Sequence, residues 1–170
     1  MGAVVNTGKV PAGCSLAVVG LGGVGLSALL AADLVGAGDI IAVDTSSSKL
    51  EVAARLGATR TVKVGPDTAR EIREITGGGV DFAFEMASSV SALQLAYEIT
   101  RRGGTTITAS LPHPEHHLSI PAVQLTAEER TLKGSYLGSC VPARDIPRFI
   151  RPLSARQITG QQVAKRNRFI

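Results

Sequence analysis

The stretch from Leu16 to Ser27 constrains the fold of this chain more than any other part of its sequence. A β-favouring apolar run ends in the pattern Gly-x-Gly-x-x-Gly, formed by Gly20, Gly22 and Gly25, and an Ala/Leu-rich helical pattern follows at once. At this spacing Gly20 permits a tight turn, Gly22 lets a pyrophosphate approach the backbone, and Gly25 lets the new helix pack closely on the strand. The sequence therefore predicts a dinucleotide-binding turn rather than a purely structural one.

Asp44 indicates which dinucleotide is bound. It ends a second apolar run, residues 40–43, and stands 24 residues after Gly20. A carboxylate at this place accepts hydrogen bonds from the adenosine ribose hydroxyls and repels a 2′-phosphate. The next four residues, Thr-Ser-Ser-Ser, include no arginine that would neutralise such a phosphate, so NAD is favoured over NADP. Lys49 could reach a ribose hydroxyl, and an exposed helix lysine explains it equally well.

Length and hydropathy are typical of one globular domain. The 170 residues can bury a core without disulfides, and no apolar run approaches the roughly 20 residues of a membrane span. No signal peptide is evident at the start. Cys14 and Cys140 are far apart, which favours a reduced, cytoplasmic compartment and gives no zinc site of the usual spacing.

The net charge of +4 is concentrated at one end of the chain. Residues from 144 onward carry about +6, and the rest carry about −2. Few aromatic residues suited to base stacking interleave with these charges, so nucleic-acid binding is not predicted. We expect a dinucleotide-binding domain over residues 1–153 and a basic, poorly patterned tail, poorly ordered or displaced, over residues 154–170.

Strand and helix patterns alternate along the whole chain. The predicted strands cover residues 15–20, 40–44, 61–64, 80–85, 105–109 and 131–137. The predicted helices cover residues 23–35, 47–56, 66–76, 88–100 and about 122–129, with a last one starting at residue 142 or 143. A short extended piece is expected at residues 118–120. This alternation predicts an α/β fold, a doubly wound parallel six-stranded sheet of order 3-2-1-4-5-6, that is, a Rossmann fold.

Other residues with chemical potential have simpler explanations. Glu85 ends the fourth strand and is expected to be a buried, hydrogen-bonded acid rather than a catalytic one. Cys140 is expected to be inert. One proline-rich loop contains residues that could suggest a metal but are expected to be solvated: His113, Glu115, His116 and His117.

Several stretches together resemble the coenzyme domain of zinc-dependent medium-chain alcohol dehydrogenases. They are residues 20–27, 42–44, Lys49, 56–59, 78–85 and 132–138, and the resemblance extends over about residues 5–150. It implies that Val24 packs on the nicotinamide ring and that Asp44 and Lys49 hold the adenosine ribose. Thr45 and Met86 would line the adenine cleft. The backbone near Thr108 or Ala109, and at Ser135 and Leu137, would anchor the nicotinamide carboxamide.

The glycine motif and the resemblance together predict a set of cofactor-binding residues. They are Gly20, Gly22, Gly23, Val24, Gly25, Asp44, Thr45, Lys49, Met86, Thr108, Ala109, Ser135 and Leu137. No catalytic or metal-binding residue is predicted in this chain.

The resemblance also limits what the chain is expected to do. Members of that family are about twice as long, because a zinc-binding catalytic domain surrounds the coenzyme domain. We therefore expect a coenzyme-binding piece that binds NAD but does not oxidise alcohols alone, with zinc only in the missing catalytic domain. The resemblance further implies a homodimer through the sixth-strand edge.

Two alternatives remain open at this stage. One is a stand-alone NAD-sensing module. The other is the coenzyme domain of a zinc-free quinone reductase relative, although such relatives usually prefer NADP and Asp44 counts against them.

Overall fold

One parallel sheet forms the centre of the computed structural model, which describes residues 1–158. Its strands are β1 (Ser15–Val19), β2 (Asp39–Asp44), β3 (Arg60–Lys63), β4 (Val80–Glu85), β5 (Thr100–Thr108) and β6 (Thr131–Gly134). All neighbours pair in parallel, in the order β3-β2-β1-β4-β5-β6. The predicted doubly wound α/β sheet of order 3-2-1-4-5-6 is confirmed.

Helices connect the strands. They are α1 (Gly23–Leu34), α2 (Ser47–Arg55), α3 (Thr68–Ile75), α4 (Val90–Ile99), α5 (Ala122–Ala127) and α6 (Pro142–Ile158). Two further helical segments, an N-terminal π-helix (Ala3–Gly8) and a 3-10 turn (Tyr136–Ser139), were not predicted. Within residues 1–158, no helix is both long enough and apolar enough to cross a membrane.

Side chains that alternate along the strands give the sheet two covered faces. Leu16 and Val18 of β1 belong to a buried cluster with the N-terminal π-helix, α1 and α2. Ala17 and Val19 belong to a second cluster, which includes residues of α3 and α4. Because both faces are covered, the central strands appear in the sequence as continuous apolar runs. This arrangement brings the carboxyl ends of the neighbouring strands β1, β2 and β4 together on the same side of the domain.

The fifth and sixth strands differ from their predicted bounds. β5 starts at Thr100 instead of residue 105, because residues 101–104, which include the Gly103-Gly104 pair, form an irregularity inside the strand rather than a turn before it. β6 ends at Gly134 instead of residue 137, because Leu137 and Gly138 have left-handed backbone conformations that cannot continue a strand. The expected extended piece at residues 118–120 pairs with no strand among the described residues.

The chain divides into two compact units, residues 1–139 and the part from Cys140 onward. In the second unit, α6 begins with Pro142, as predicted, at a position where a missing N–H costs nothing. The Asp145 carboxylate accepts hydrogen bonds from Arg144 Nε at 2.7 Å and from Val141 N at 2.9 Å. These bonds hold the pKa of Asp145 well below its usual range. The predicted boundary at residues 153–154 stays a prediction, because α6 spans it and residues 159–170 lie outside the described part.

Candidate functional site

The glycine turn connects β1 to α1 in the geometry that its sequence predicts. Gly20 has a φ of +93°, which L side chains rarely adopt. A Cβ on Gly25 would lie 1.8 Å from the carbonyl oxygen of Gly20, so α1 starts in direct backbone contact with the end of β1. A Cβ on Gly22 would meet no atom within 4 Å. The turn therefore leaves open space at the N-terminus of α1, where free N–H groups and the helix dipole favour an anion.

The Asp44 carboxylate lies at the end of β2 beside this turn. One oxygen accepts a hydrogen bond from Leu21 N at 2.7 Å, and the other accepts one from Ser46 N at 2.9 Å. Lys49 Nζ is 3.6 Å from the first oxygen. Burial by itself would raise the pKa of Asp44, but the two backbone hydrogen bonds and the Lys49 ammonium outweigh it and lower the pKa below its usual value. Asp44 is therefore ionised at neutral pH.

A cavity of about 600 Å³, here called the larger cavity, opens beside Asp44. The glycine turn and the ends of β2 and β4 form part of its wall. Its lining includes four of the predicted cofactor residues around the carboxylate and the turn: Gly20, Gly22, Asp44 and Thr45. Lys49 and Met86 also line it. Apolar side chains and proline complete the wall, among them Val64, Pro66, Ala69, Ala92 and Leu95.

A second cavity of about 450 Å³, the smaller cavity, lies at the first turn of α1. Gly23 and Val24 line it, and Val24 is 59 % exposed in spite of its apolar side chain. The other predicted residues in its wall are Ala109, Ser135 and Leu137. Met86 lines both cavities, so the two cavities lie next to each other at the carboxyl ends of the strands.

Glu85 is a buried acid that connects two loops, as the sequence predicts. One carboxylate oxygen accepts a hydrogen bond from Ala87 N at 2.6 Å. The other accepts hydrogen bonds from Thr108 Oγ1 at 2.7 Å and Ser110 Oγ at 2.6 Å. Because three donors satisfy it and only 1 % of the residue is exposed, Glu85 fixes the loops after β4 and β5 instead of facing a ligand.

Of the thirteen predicted cofactor residues, eleven line one cavity or the other. The remaining two, Gly25 and Thr108, line neither cavity and contact residues that do. Gly25 contacts the backbone of Gly20, and Thr108 bonds to Glu85 and accepts a hydrogen bond from Ser135 N at 2.8 Å. Contact of these residues with a cofactor stays a prediction.

The sequence did not reveal all of the wall. Leu111 and Tyr136 line the smaller cavity, and both are more than two-thirds exposed. Met1, Gly2 and Ala3 also line it, at the start of the unpredicted π-helix. Leu111 and Tyr136 could have been predicted from the sequence, because each stands within two residues of a predicted site residue. The π-helix gave no such signal, since its short sequence lacks a helical period.

The histidine-containing loop carries no assembled metal site. His113, Glu115, His116 and His117 are exposed, and His113 Nδ1 is 3.9 Å from the nearest Glu115 carboxylate oxygen. Within residues 1–158, no three His, Cys, Asp or Glu side chains are close enough to share a metal ion. In the second unit, burial and the nearby Asp145 carboxylate raise the pKa of the Cys140 thiol, which lowers its reactivity.

A sequence profile described as zinc-binding dehydrogenase matches residues 23–155, which is most of the chain and includes Gly25 of the glycine motif, Asp44 and all strands from β2 to β6. The chain belongs to the zinc-binding dehydrogenase family. This membership confirms the resemblance found in the sequence.

Individual relatives of this dehydrogenase domain agree with the family assignment. Alcohol dehydrogenase 1 of Solanum tuberosum is 34 % identical over 162 residues, a match that covers 93 % of this chain and 42 % of the relative. The structure of benzyl alcohol dehydrogenase from Acinetobacter calcoaceticus matches with a TM-score of 0.88 and 35 % identity, over 95 % of this chain and 45 % of that one. An alcohol dehydrogenase zinc-binding domain protein from Burkholderia ambifaria matches with a TM-score of 0.86 and 36 % identity, over 91 % and 42 %. The dehydrogenase domain therefore spans less than half the length of these relatives.

Proposed function

We propose that this domain binds NAD in an alcohol dehydrogenase-type enzyme that transfers hydride between an alcohol or aldehyde and the cofactor. The observation that carries the proposal is the Asp44 carboxylate, which lies between the glycine turn and the larger cavity and is ionised at neutral pH. An ionised acid there accepts hydrogen bonds from both hydroxyls of an adenosine ribose and repels the 2′-phosphate of NADP.

The two cavities fit the two halves of a dinucleotide. In the proposal the adenosine half occupies the larger cavity, with its ribose at Asp44 and Lys49. The pyrophosphate takes the open space at Gly22, against the N-terminus of α1. The nicotinamide half occupies the smaller cavity, where the exposed Val24 side chain offers an apolar surface to the ring.

NAD supplies an electrophilic ring carbon that accepts hydride. The chain's own residues bind and orient the cofactor in this proposal. Val24 covers one ring face, and the backbone at Ala109, Ser135 and Leu137 holds the carboxamide. Met86 and Thr45 enclose the adenine.

Catalytic turnover requires more than these 170 residues, in our proposal. The domain spans about 42 % of the Solanum relative, and the resemblance described above implies a separate catalytic domain that holds the zinc and the substrate pocket. We expect the zinc of the whole enzyme to be bound there. A cytoplasmic location stays a prediction from the cysteine usage.

Homodimer formation is the second part of the proposal. β6 lies at one edge of the sheet, with β5 as its only neighbour in the described sheet. Its Leu132 is 37 % exposed, and Val123 on the preceding helix is 69 % exposed. An edge strand with unpaired backbone groups and apolar side chains favours pairing with a second copy. Light scattering at micromolar concentration tests this: a dimeric mass supports it and a monomeric mass contradicts it.

Equilibrium titration tests the cofactor proposal. NADH is added to the purified chain while its nicotinamide fluorescence and the melting temperature of the protein are followed. We expect saturable binding of one NADH per chain and a melting temperature that rises with ligand concentration. A chain that remains folded but shows neither effect at millimolar NADH would contradict the proposal.

A further inference from the structure

A left-handed turn forms part of the wall of the smaller cavity. Leu137, Gly138 and Ser139 have φ values of 47°, 66° and 47°. For Leu137 and Ser139 this conformation is sterically disfavoured, because Cβ approaches the following carbonyl oxygen. Such a turn keeps its shape only when the surrounding structure holds it. Since Leu137 and Gly138 line the smaller cavity, whatever holds the turn also sets the shape of that cavity.

Two side chains of the N-terminal π-helix bond to this turn. Thr7 Oγ1 lies 2.7 Å from Ser135 Oγ and 2.9 Å from Ser139 Oγ. A hydroxyl can donate one hydrogen bond and accept others, so Thr7 connects both hydroxyls at once. Asn6 Nδ2 donates to the carbonyl oxygens of Gly138 at 3.3 Å and Ser139 at 3.4 Å. Thr7 therefore joins Ser135, two residues before the turn, to Ser139, which ends it.

Gly2, the residue before the π-helix, also packs closely on the turn through its backbone. A Cβ on Gly2 would lie 2.4 Å from the carbonyl oxygen of Gly138, and a Cβ on Gly138 would lie 2.9 Å from Gly2 Cα. Gly2 and Ala3 line the smaller cavity beside Leu137 and Gly138. Two segments separated by about 130 residues thus form one continuous wall.

We infer that Asn6 and Thr7 are positioning residues for the nicotinamide half of the cofactor. Neither residue lines the larger or the smaller cavity; both act through the left-handed turn, which presents Leu137, and Thr7 also holds Ser135. The inference rests on the proposed function, which assigns the smaller cavity to the nicotinamide. Without the Thr7 hydroxyl the turn relaxes toward an ordinary conformation, and the backbone at Leu137 moves. The larger cavity shares no residue with the turn or the π-helix, so the adenosine half keeps its affinity.

The test compares two ligands that differ in the nicotinamide. NADH carries both halves of the dinucleotide, whereas ADP-ribose keeps the adenosine, the pyrophosphate and a ribose. Thr7→Val removes the hydroxyl and keeps the branched shape. We expect it to raise the Kd for NADH about three- to tenfold, the effect of one or two lost hydrogen bonds, and to leave the Kd for ADP-ribose within about twofold. The emission maximum of bound NADH should also shift, because the ring environment changes.

Two further variants separate positioning from general stability. Thr7→Ser keeps the hydroxyl and should restore the wild-type preference for NADH over ADP-ribose. Thr76→Val removes another structural threonine hydroxyl, which bonds to the Ile72 carbonyl oxygen at 2.5 Å at the end of α3. It should lower the melting temperature without a selective effect on NADH.

A selective loss of NADH affinity in Thr7→Val, reversed in Thr7→Ser, supports the positioning role. An equal loss for both ligands, or no change for either, overturns it. A folded wild-type chain that binds neither ligand would contradict the proposed function itself, and the inference would fall with it.

Discussion

The backbone N–H of Leu21, in the glycine turn after β1, donates a 2.7 Å hydrogen bond to the carboxylate of Asp44, at the end of β2. This bond joins the turn proposed to bind the pyrophosphate to the acid proposed to bind the ribose, across two neighbouring strands. It orients one carboxylate oxygen, and the Ser46 N–H orients the other. The acid is thus held in place before any ligand arrives, which reduces the entropy lost on binding.

Asp44→Asn should weaken NADH binding. The amide keeps the size of the side chain but loses the charge and one acceptor oxygen, while Leu21 N and Ser46 N still need partners. We expect the Kd for NADH to rise about 10- to 100-fold, as for the loss of charge-assisted hydrogen bonds. Isothermal titration measures it. An unchanged Kd in a variant with a wild-type melting temperature would show that Asp44 does not bind the ribose.

A pair of glycine variants separates the fold from the ligand site. Gly25→Ala places a Cβ 1.8 Å from the Gly20 carbonyl oxygen, so we expect a loss of about 2–4 kcal/mol in the free energy of unfolding. Gly22→Ala meets open space and should unfold at nearly the wild-type temperature. Its methyl group occupies the space proposed for the pyrophosphate, so NADH binding should still be weakened about tenfold or more. Urea unfolding and NADH titration of both variants check this; wild-type NADH affinity in Gly22→Ala would contradict the proposed phosphate position.

The fold was largely predictable because its strongest determinants are local in sequence. The apolar runs of β1 and β2 and the glycine pattern between Gly20 and Gly25 fix the strand–turn–helix unit, and the crossover rule then limits the topology. The elements that sequence reasoning missed depend on distant contacts. The π-helix packs against a turn some 130 residues away, and the left-handed residues after β6 are held by that contact rather than by their own propensities.

The candidate site was likewise predictable only in part. Asp44 has a strong signal in its distance from Gly20, and the structure places it at the larger cavity. Thr7 and Asn6 carry no such signal, because their partners Ser135 and Ser139 are identified only by the folded geometry. A helix of six residues with no apolar period gives sequence analysis nothing to recognise.

Asp81 provides a stability prediction that is independent of the ligand site. Its carboxylate accepts hydrogen bonds from Ser15 N and Ser15 Oγ, both at 2.7 Å, and pairs with Arg101 Nη2 at 2.7 Å, near the starts of β1 and β4. Asp81→Asn should lower the free energy of unfolding at pH 7 by about 1–3 kcal/mol. Because the proposed ligand site lies at the opposite ends of these strands, the Kd for NADH should stay within about twofold.

The pH dependence of that stability difference follows from the pKa of Asp81. Burial would raise this pKa, but the Ser15 and Arg101 contacts outweigh it and lower the pKa below the ordinary value. A lowered pKa in the folded state stabilises the protein above the unfolded pKa of about 3.9, and this contribution disappears as the pH falls through the lowered value. The difference between wild type and Asp81→Asn should therefore be constant from pH 7 to pH 5 and shrink below about pH 4. A difference that already shrinks between pH 7 and pH 5 would contradict this assignment.

The Kd for the ligand should also depend on pH through the ionisation of Asp44. Its lowered pKa keeps the carboxylate ionised, and able to accept ribose hydroxyls, down to below the ordinary value of about 3.9. We expect the Kd for ADP-ribose to be constant from pH 8 to pH 5 while circular dichroism shows the chain to be folded. A loss of affinity with a midpoint above about pH 5 would mean that a group other than Asp44 controls binding.

The central claim is that the chain binds NAD through Asp44, and the ratio of its Kd values for NADPH and NADH tests it most directly. The two cofactors differ only in the 2′-phosphate, so this ratio isolates the contacts of the adenosine ribose. We predict that wild type binds NADH at least about tenfold more tightly than NADPH, and that Asp44→Asn brings the two Kd values to within about threefold of each other. Equal affinities in wild type, or tighter binding of NADPH, would contradict the account.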